Sequence, residues 1–99
     1  MCIVTIPHIS AGLIICEKDH GLLSDVTNLL NKLVPPGDYQ ANIFNTNAEA
    51  QLKAVLLGSS KVIPVIDGEI KLGRWQRLFF VEMDGPRERS VNVMVIKKE

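Results

Sequence analysis

Two stretches near the C-terminus constrain this chain more than anything else in it, because both are apolar on two faces. In Trp75–Met83, alternate residues place Trp75, Phe79, Val81 and Met83 on one side and Leu78 and Phe80 on the other. In Ser90–Ile96 one side holds Val91, Val93 and Val95, and the other Met94 and Ile96. An antiparallel strand with one face in water alternates apolar and polar residues. These two need a cover on both sides, either from helices or from another copy of the chain.

The rest of the chain supplies two short helices for that purpose. Ser24 suits an N-cap and Asp25 a first turn, and Val26, Leu29, Leu30 and Leu33 recur at helical spacing until Pro35-Pro36-Gly37 stops the run. Asn47 suits the cap of a second helix ending at Leu57, with Gly58 as its C-terminal stop and Ala48, Leu52, Val55 and Leu56 as its apolar stripe. Strands are expected at Cys2–Ile6, Gly12–Glu17, Val62–Ile66 and Glu69–Leu72, besides the two long ones. Asp67-Gly68 reads as a hairpin turn, and Pro64 suits an edge or a bulge. The order β-β-α-α-β-β-β-β gives an α+β fold with a C-terminal antiparallel meander. Two short helices cover only part of such a sheet, so a homo-oligomer with sheet packing at its interface is expected.

Composition narrows the function. The 99 residues make one domain. Eleven Lys+Arg balance eleven Asp+Glu, and this zero net charge, with a single Trp and a single Tyr, argues against a nucleic-acid surface. At 46% hydrophobic and 22% charged, the chain is not disordered, and it is apolar for its size. Cys2 and Cys16 form no CxxC pair or zinc-ligand cluster and read as two reduced thiols. No signal segment or bilayer-length apolar run is visible, so the expectation is a soluble, cytoplasmic protein without membrane partners.

The candidate chemistry is sparse. Glycine-rich phosphate loops and the common hydrolase motifs are missing from the sequence. His8, beside Ser10 and ahead of the strand that ends at Glu17, is placed for acid–base or ligand work, or for a plain hydrogen-bonded turn. His20 reads as a solvated loop residue. Arg74, Arg77, Arg87, Arg89, Lys53, Lys61 and Lys71 crowd the second half, either as a solvated, ion-paired rim or as an anion pocket.

The strings His8-Ile-Ser-Ala, Asn47-Ala-Glu-Ala-Gln-Leu-Lys-Ala-Val-Leu-Leu-Gly-Ser-Ser60, Ile63-Pro-Val, Leu72-Gly-Arg-Trp-Gln76 and Glu82-Met-Asp-Gly-Pro-Arg-Glu-Arg89 resemble the YjbQ-like family over almost the whole chain. The resemblance implies a two-sheet sandwich with two helices, largely antiparallel, assembled as a homotrimer. Some members of that family are described as secondary thiamine-phosphate synthases, which join a pyrimidine diphosphate to a thiazole phosphate. Carried over by position, the resemblance implies His8 and Glu17 as catalytic residues, with Ser10, Asn42, Asn47, Lys53, Ser60 and Arg87 holding a phosphorylated small molecule. A synthase-type activity would use Mg²⁺ as its cofactor, whereas a metal site built on all three histidines of the family pattern is not expected to be intact, because two of them are replaced here.

Two of the three family histidines are replaced, by Gln51 and by Ala41, and only seven residues precede His8. The chain is therefore read as a single YjbQ-like domain over residues 1–99, in which either the family's leading strands are absent or the given chain starts downstream of the full-length start. Its expected role is a non-catalytic or weakly active binder of small anions. The synthase-type enzyme is the alternative.

Overall fold

The computed structural model describes residues 1–43 and 47–97, excluding the side chains of Asn42 and Ile43. Among the described residues, seven strands and two α-helices run in the order β1 (Cys2–Thr5), β2 (Ala11–Cys16), α1 (His20–Leu33), α2 (Ala48–Leu57), β3 (Ser60–Ile63), β4 (Val65–Ile66), β5 (Glu69–Ile70), β6 (Arg77–Glu82) and β7 (Asn92–Val95). A short 3₁₀ turn, Gln40–Ile43, precedes α2.

All paired strands are antiparallel. β1 lies between β3 and β7, β2 pairs with β6, and β4 with β5 forms a hairpin. The expected C-terminal meander is therefore corrected. β6 and β7 belong to different sheets, because each joins an N-terminal strand instead of its neighbour in sequence. The single strand expected over Val62–Ile66 splits at Pro64, which has no N–H for a ladder. Asp67 and Gly68 both take positive φ, as a type I′ hairpin turn requires.

The core lies between the two larger sheets. Cys2, Val4 and Ile6 from the first segment, Ala11 and Leu13 from β2, and Ile63 from β3 form one buried cluster, against which Leu78 and Phe80 pack. The alternation expected for β6 is met. Leu78 and Phe80 face this core, opposite Ile15 and Leu13 in the ladder, and Phe79 and Val81 fall on the other side. Cys2 is buried in the core, Cys16 is half-buried, and both are free thiols.

The helices differ from expectation in two ways. Helix α1 begins at His20, one turn earlier than Ser24 suggested, because Asp19 sits in an extended conformation and accepts the Leu22 N–H at 2.8 Å. His20 thus lies in the first turn, exposed. Helix α2 has the expected limits and caps, but its buried residues are Ala48, Ala50 and Ala54. Leu52, Val55 and Leu56 of the expected stripe are exposed. Small side chains let α2 approach β2 closely. A Cβ added to Gly12 would lie 2.7 Å from the Cβ of Leu57, so only glycine fits at that contact.

Candidate functional site: a charged cleft around Ser10

Three chain segments converge at one end of β2. The loop between β1 and β2 supplies His8 and Ser10, the first turn of α2 supplies Asn47 and Gln51, and the segment after β6 supplies Asp84, Arg87 and Arg89. Together with Pro7 and Ile9 they line a cleft of about 440 Å³. Glu82 ends β6, the chain bends at Met83 and Asp84, and Arg87 and Arg89 follow in an irregular segment. Between Asp84 and Arg87 the Gly85–Pro86 peptide is cis and turns the segment.

The floor of the cleft is a hydrogen-bond network. Glu82 lies opposite Ala11 in the ladder, and its carboxylate takes both Nε and Nη2 of Arg89, the former at 2.7 Å. Those Arg89 hydrogen bonds, with a further bond from the Asp84 N–H, hold the Glu82 carboxyl at about 2, below the ordinary 4.5, although desolvation opposes them. The same pairing raises the pKa of Arg89. Arg89 Nη2 also donates to Ser10 Oγ at 3.0 Å, and Arg87 Nη1 reaches that oxygen at 3.5 Å. Ser10 is buried, and with both guanidinium groups donating to its oxygen, its own hydrogen is left to point elsewhere.

The rim is a second, looser pair. Asp84 Oδ2 accepts from Arg87 Nη1 at 3.2 Å, and Oδ1 accepts from the Asn47 side-chain amide at 2.9 Å. Asn47 Oδ1 meanwhile caps α2 by accepting from the Ala50 N–H at 3.1 Å. One asparagine thus fixes the helix start and ties it to the cleft. His8 Nε2 accepts the Ser90 N–H at 3.0 Å. A backbone donor needs a lone pair there, so the ring carries its hydrogen on Nδ1. The ring meets Phe80 edge-on, with centroids 6.4 Å apart.

His8, Ile9 and Gln51 also border an apolar cleft of about 400 Å³, lined otherwise by Ala11, Ala54, Val55, Gly58 and Ser59. The two clefts share a wall, one end charged and the other apolar.

The residues singled out in the sequence divide clearly. His8, Ser10, Asn47 and Arg87 come together in the charged cleft. Glu17 does not: it follows the far end of β2, about 20 Å of strand away from Ser10, beside Lys18, Trp75 and Arg77. Lys53 donates to Asn31 of α1 at 2.6 Å, in a separate hollow next to Val81. Ser60 is exposed at the start of β3, opposite Thr5. The Asn42 side chain lies outside the described residues. Glu82 and Asp84 are not singled out by the sequence reading, and Arg89 enters it only as one of the cations of a solvated rim or an anion pocket. Their common place in the string Glu82–Arg89, beside Arg87, is the sequence signal for them.

Among the described residues, no group of three or more His, Cys, Asp and Glu is placed to hold a metal ion. For the Mg²⁺ implied by the resemblance, Asp84 is the one carboxylate lining the charged cleft among the described residues, and it is already paired with Arg87 and Asn47, so the ion would rest on water and the substrate's phosphate rather than on the protein. These residues do not fit a protein-held Mg²⁺. No helix among the described residues is long and apolar enough to cross a membrane.

Comparison with known proteins agrees with this architecture. The family model described as UPF0047 protein YjbQ-like matches residues 1–98. A UPF0047 protein of Archaeoglobus fulgidus is 45% identical over 97% of this chain and 77% of its own length. One from Methanothermobacter thermautotrophicus is 44% identical over 92% of this chain and 64% of its own. The crystal structure of a hypothetical protein from Aeropyrum pernix superposes with a TM-score of 0.92 at 40% identity, covering 98% of this chain and 73% of that one. A YbjQ-like protein of unknown function from Sulfolobus solfataricus gives 0.88 at 34% identity, covering 93% and 68%. With the α+β fold and a match along nearly its whole length, the chain belongs to the YjbQ/UPF0047 family.

Proposed function

We propose that the protein is a binder of small phosphorylated molecules, held at the charged cleft, with no acid–base catalysis of its own. The observation that carries this reading is the convergence of Arg87, the buried Ser10 hydroxyl and the Asn47-capped start of α2 on one concave surface. Arg87 is the exposed cation of the group, with guanidinium donors left for a phosphate oxygen. Arg89, buried against Glu82 and Ser10, stiffens the floor.

The non-catalytic part rests on His8 and Glu17. The Nε2 lone pair of His8 already serves Ser90, and Glu17 stands at the other end of β2, so the two make no acid–base pair. A second reading, an enzyme of the secondary thiamine-phosphate synthase type, is favoured by the apolar cleft beside the charged one, which suits a ring attached to a phosphate. Incubation with the two phosphorylated substrates and Mg²⁺ separates them: thiamine phosphate formed above blank supports the enzyme and contradicts the binder.

Calorimetric titration with a phosphate monoester tests the primary reading. Arg87→Ala should weaken binding at least about tenfold, as loss of a charge-assisted contact does. Lys53→Ala, outside the cleft, should leave it unchanged. Equal loss in both variants, or in neither, contradicts the site.

We also infer a homotrimer of the protein. Val93 (63% exposed) and Val95 (65%) of β7, and Val62 (60%) beside Met94 (60%) across β1, leave apolar rows on both faces of one sheet. Such rows support burial against other copies.

A further inference from the structure

Resting on the anion-binding reading above, we propose that the charged cleft selects a zwitterion: a phosphate monoester that also carries an ammonium group on a short linker. Arg87 takes the phosphate and Asp84 takes the ammonium.

Charge counting carries the argument. The cleft holds two guanidinium groups, Arg87 and Arg89, and two carboxylates, Glu82 and Asp84, on the same network. Its net charge is therefore zero, and a simple anion gains no overall attraction on entering. Glu82 is committed, since both its oxygens are engaged by Arg89 and one also by the Asp84 N–H. Asp84 is not: its side chain is 36% exposed and lines the cleft, and among the described residues it is engaged by one amide and one guanidinium nitrogen. Four lone-pair sites are available on a carboxylate, so Asp84 keeps capacity for another donor. A bare phosphate on Arg87 sits beside that carboxylate, competes with it for the same guanidinium and is repelled by it. A ligand with an adjacent ammonium turns the competitor into a partner, exchanging one ion pair for two. The 3.2 Å contact between Asp84 and Arg87 sets the scale, because the ligand's two poles must reach groups already in contact.

Calorimetry of the full chain with ethyl phosphate and O-phosphoethanolamine, matched except for the amine, tests this. The wild-type protein should prefer phosphoethanolamine by about fivefold or more, the scale of a partly exposed ion pair. Asp84→Asn should erase that preference and bind ethyl phosphate more tightly than wild type does. Equal wild-type affinities, or a preference that survives Asp84→Asn, overturns the assignment while leaving anion binding intact. If Mg²⁺ raises ethyl phosphate to the level of phosphoethanolamine, the positive pole belongs to the metal and the assignment fails. If neither probe binds, the anion-binding reading fails first and this one with it. The wild-type comparison needs no variant, so it decides even if Asp84→Asn folds poorly.

Discussion

At the scale of single residues, Glu82 and Arg89 show how a functional cleft gains a rigid floor. The side chain of Arg89 is only 10% exposed, so its fork needs a carboxylate, and Glu82 supplies one in two-point geometry. The consequence is visible in acid. Unfolded Glu82 takes up a proton near its ordinary 4.5, whereas the folded group holds out to about 2. The pair's contribution is therefore complete above pH 4.5 and is lost as pH falls from there through about 2. Glu82→Gln should lose about 1 kcal/mol at neutral pH, discounted for solvent around the pair, and should lack that part of the acid limb. Chemical denaturation from pH 7 to pH 2.5 measures both. An unchanged acid limb would show that the pair is not formed. Gly12 makes a packing prediction at the same scale. Gly12→Ala should destabilise by about 1–3 kcal/mol, because the added methyl meets Leu57.

Among the elements, α2 carries the most information. Its caps, Asn47 and Gly58, were legible because capping is local chemistry, readable from a few neighbouring residues. Its buried face was not. Leu52, Val55 and Leu56 look like a core stripe, yet Ala48, Ala50 and Ala54 are the buried residues, since contact with β2 demands small side chains. Strand pairing failed for a related reason. The alternation in β6 was readable, but which strand lies beside it depends on a partner more than sixty residues earlier. In the candidate site, His8, Ser10, Asn47 and Arg87 were legible from the family-like strings. Lys53 shares those strings and Glu17 was carried over by position, but both point to other surfaces, because helix rotation and strand length, not sequence order, decide where they lie. Asn47→Ala should cost about 1–2 kcal/mol through the lost cap, and should also loosen Asp84. Thermal unfolding, together with the effect on phosphate affinity, separates those two roles.

For the whole molecule, the doubly apolar strands remain the governing feature. In one chain, β6 is half-buried between the sheet core and the helix side, whereas all four residues of β7 are exposed. The proposed homotrimer accounts for β7 and predicts a sedimenting mass about three times the 11.0 kDa chain. Met94→Lys, on the row with Val62 and Ile3, should shift that mass towards the monomer. A monomer in the wild-type protein would remove the proposal.

The central claim is that His8, Ser10, Asn47, Asp84 and Arg87, drawn from three separate segments, make one anion site. Amide-resolved NMR during titration with ethyl phosphate tests it most directly. The account predicts saturable shifts at Ser10, Asn47, Asp84, Arg87 and Ser90, and none beyond background at Lys18, Asn31 and Trp75. Shifts confined to the Lys18–Trp75 end, or no saturable shift at the cleft, would contradict it.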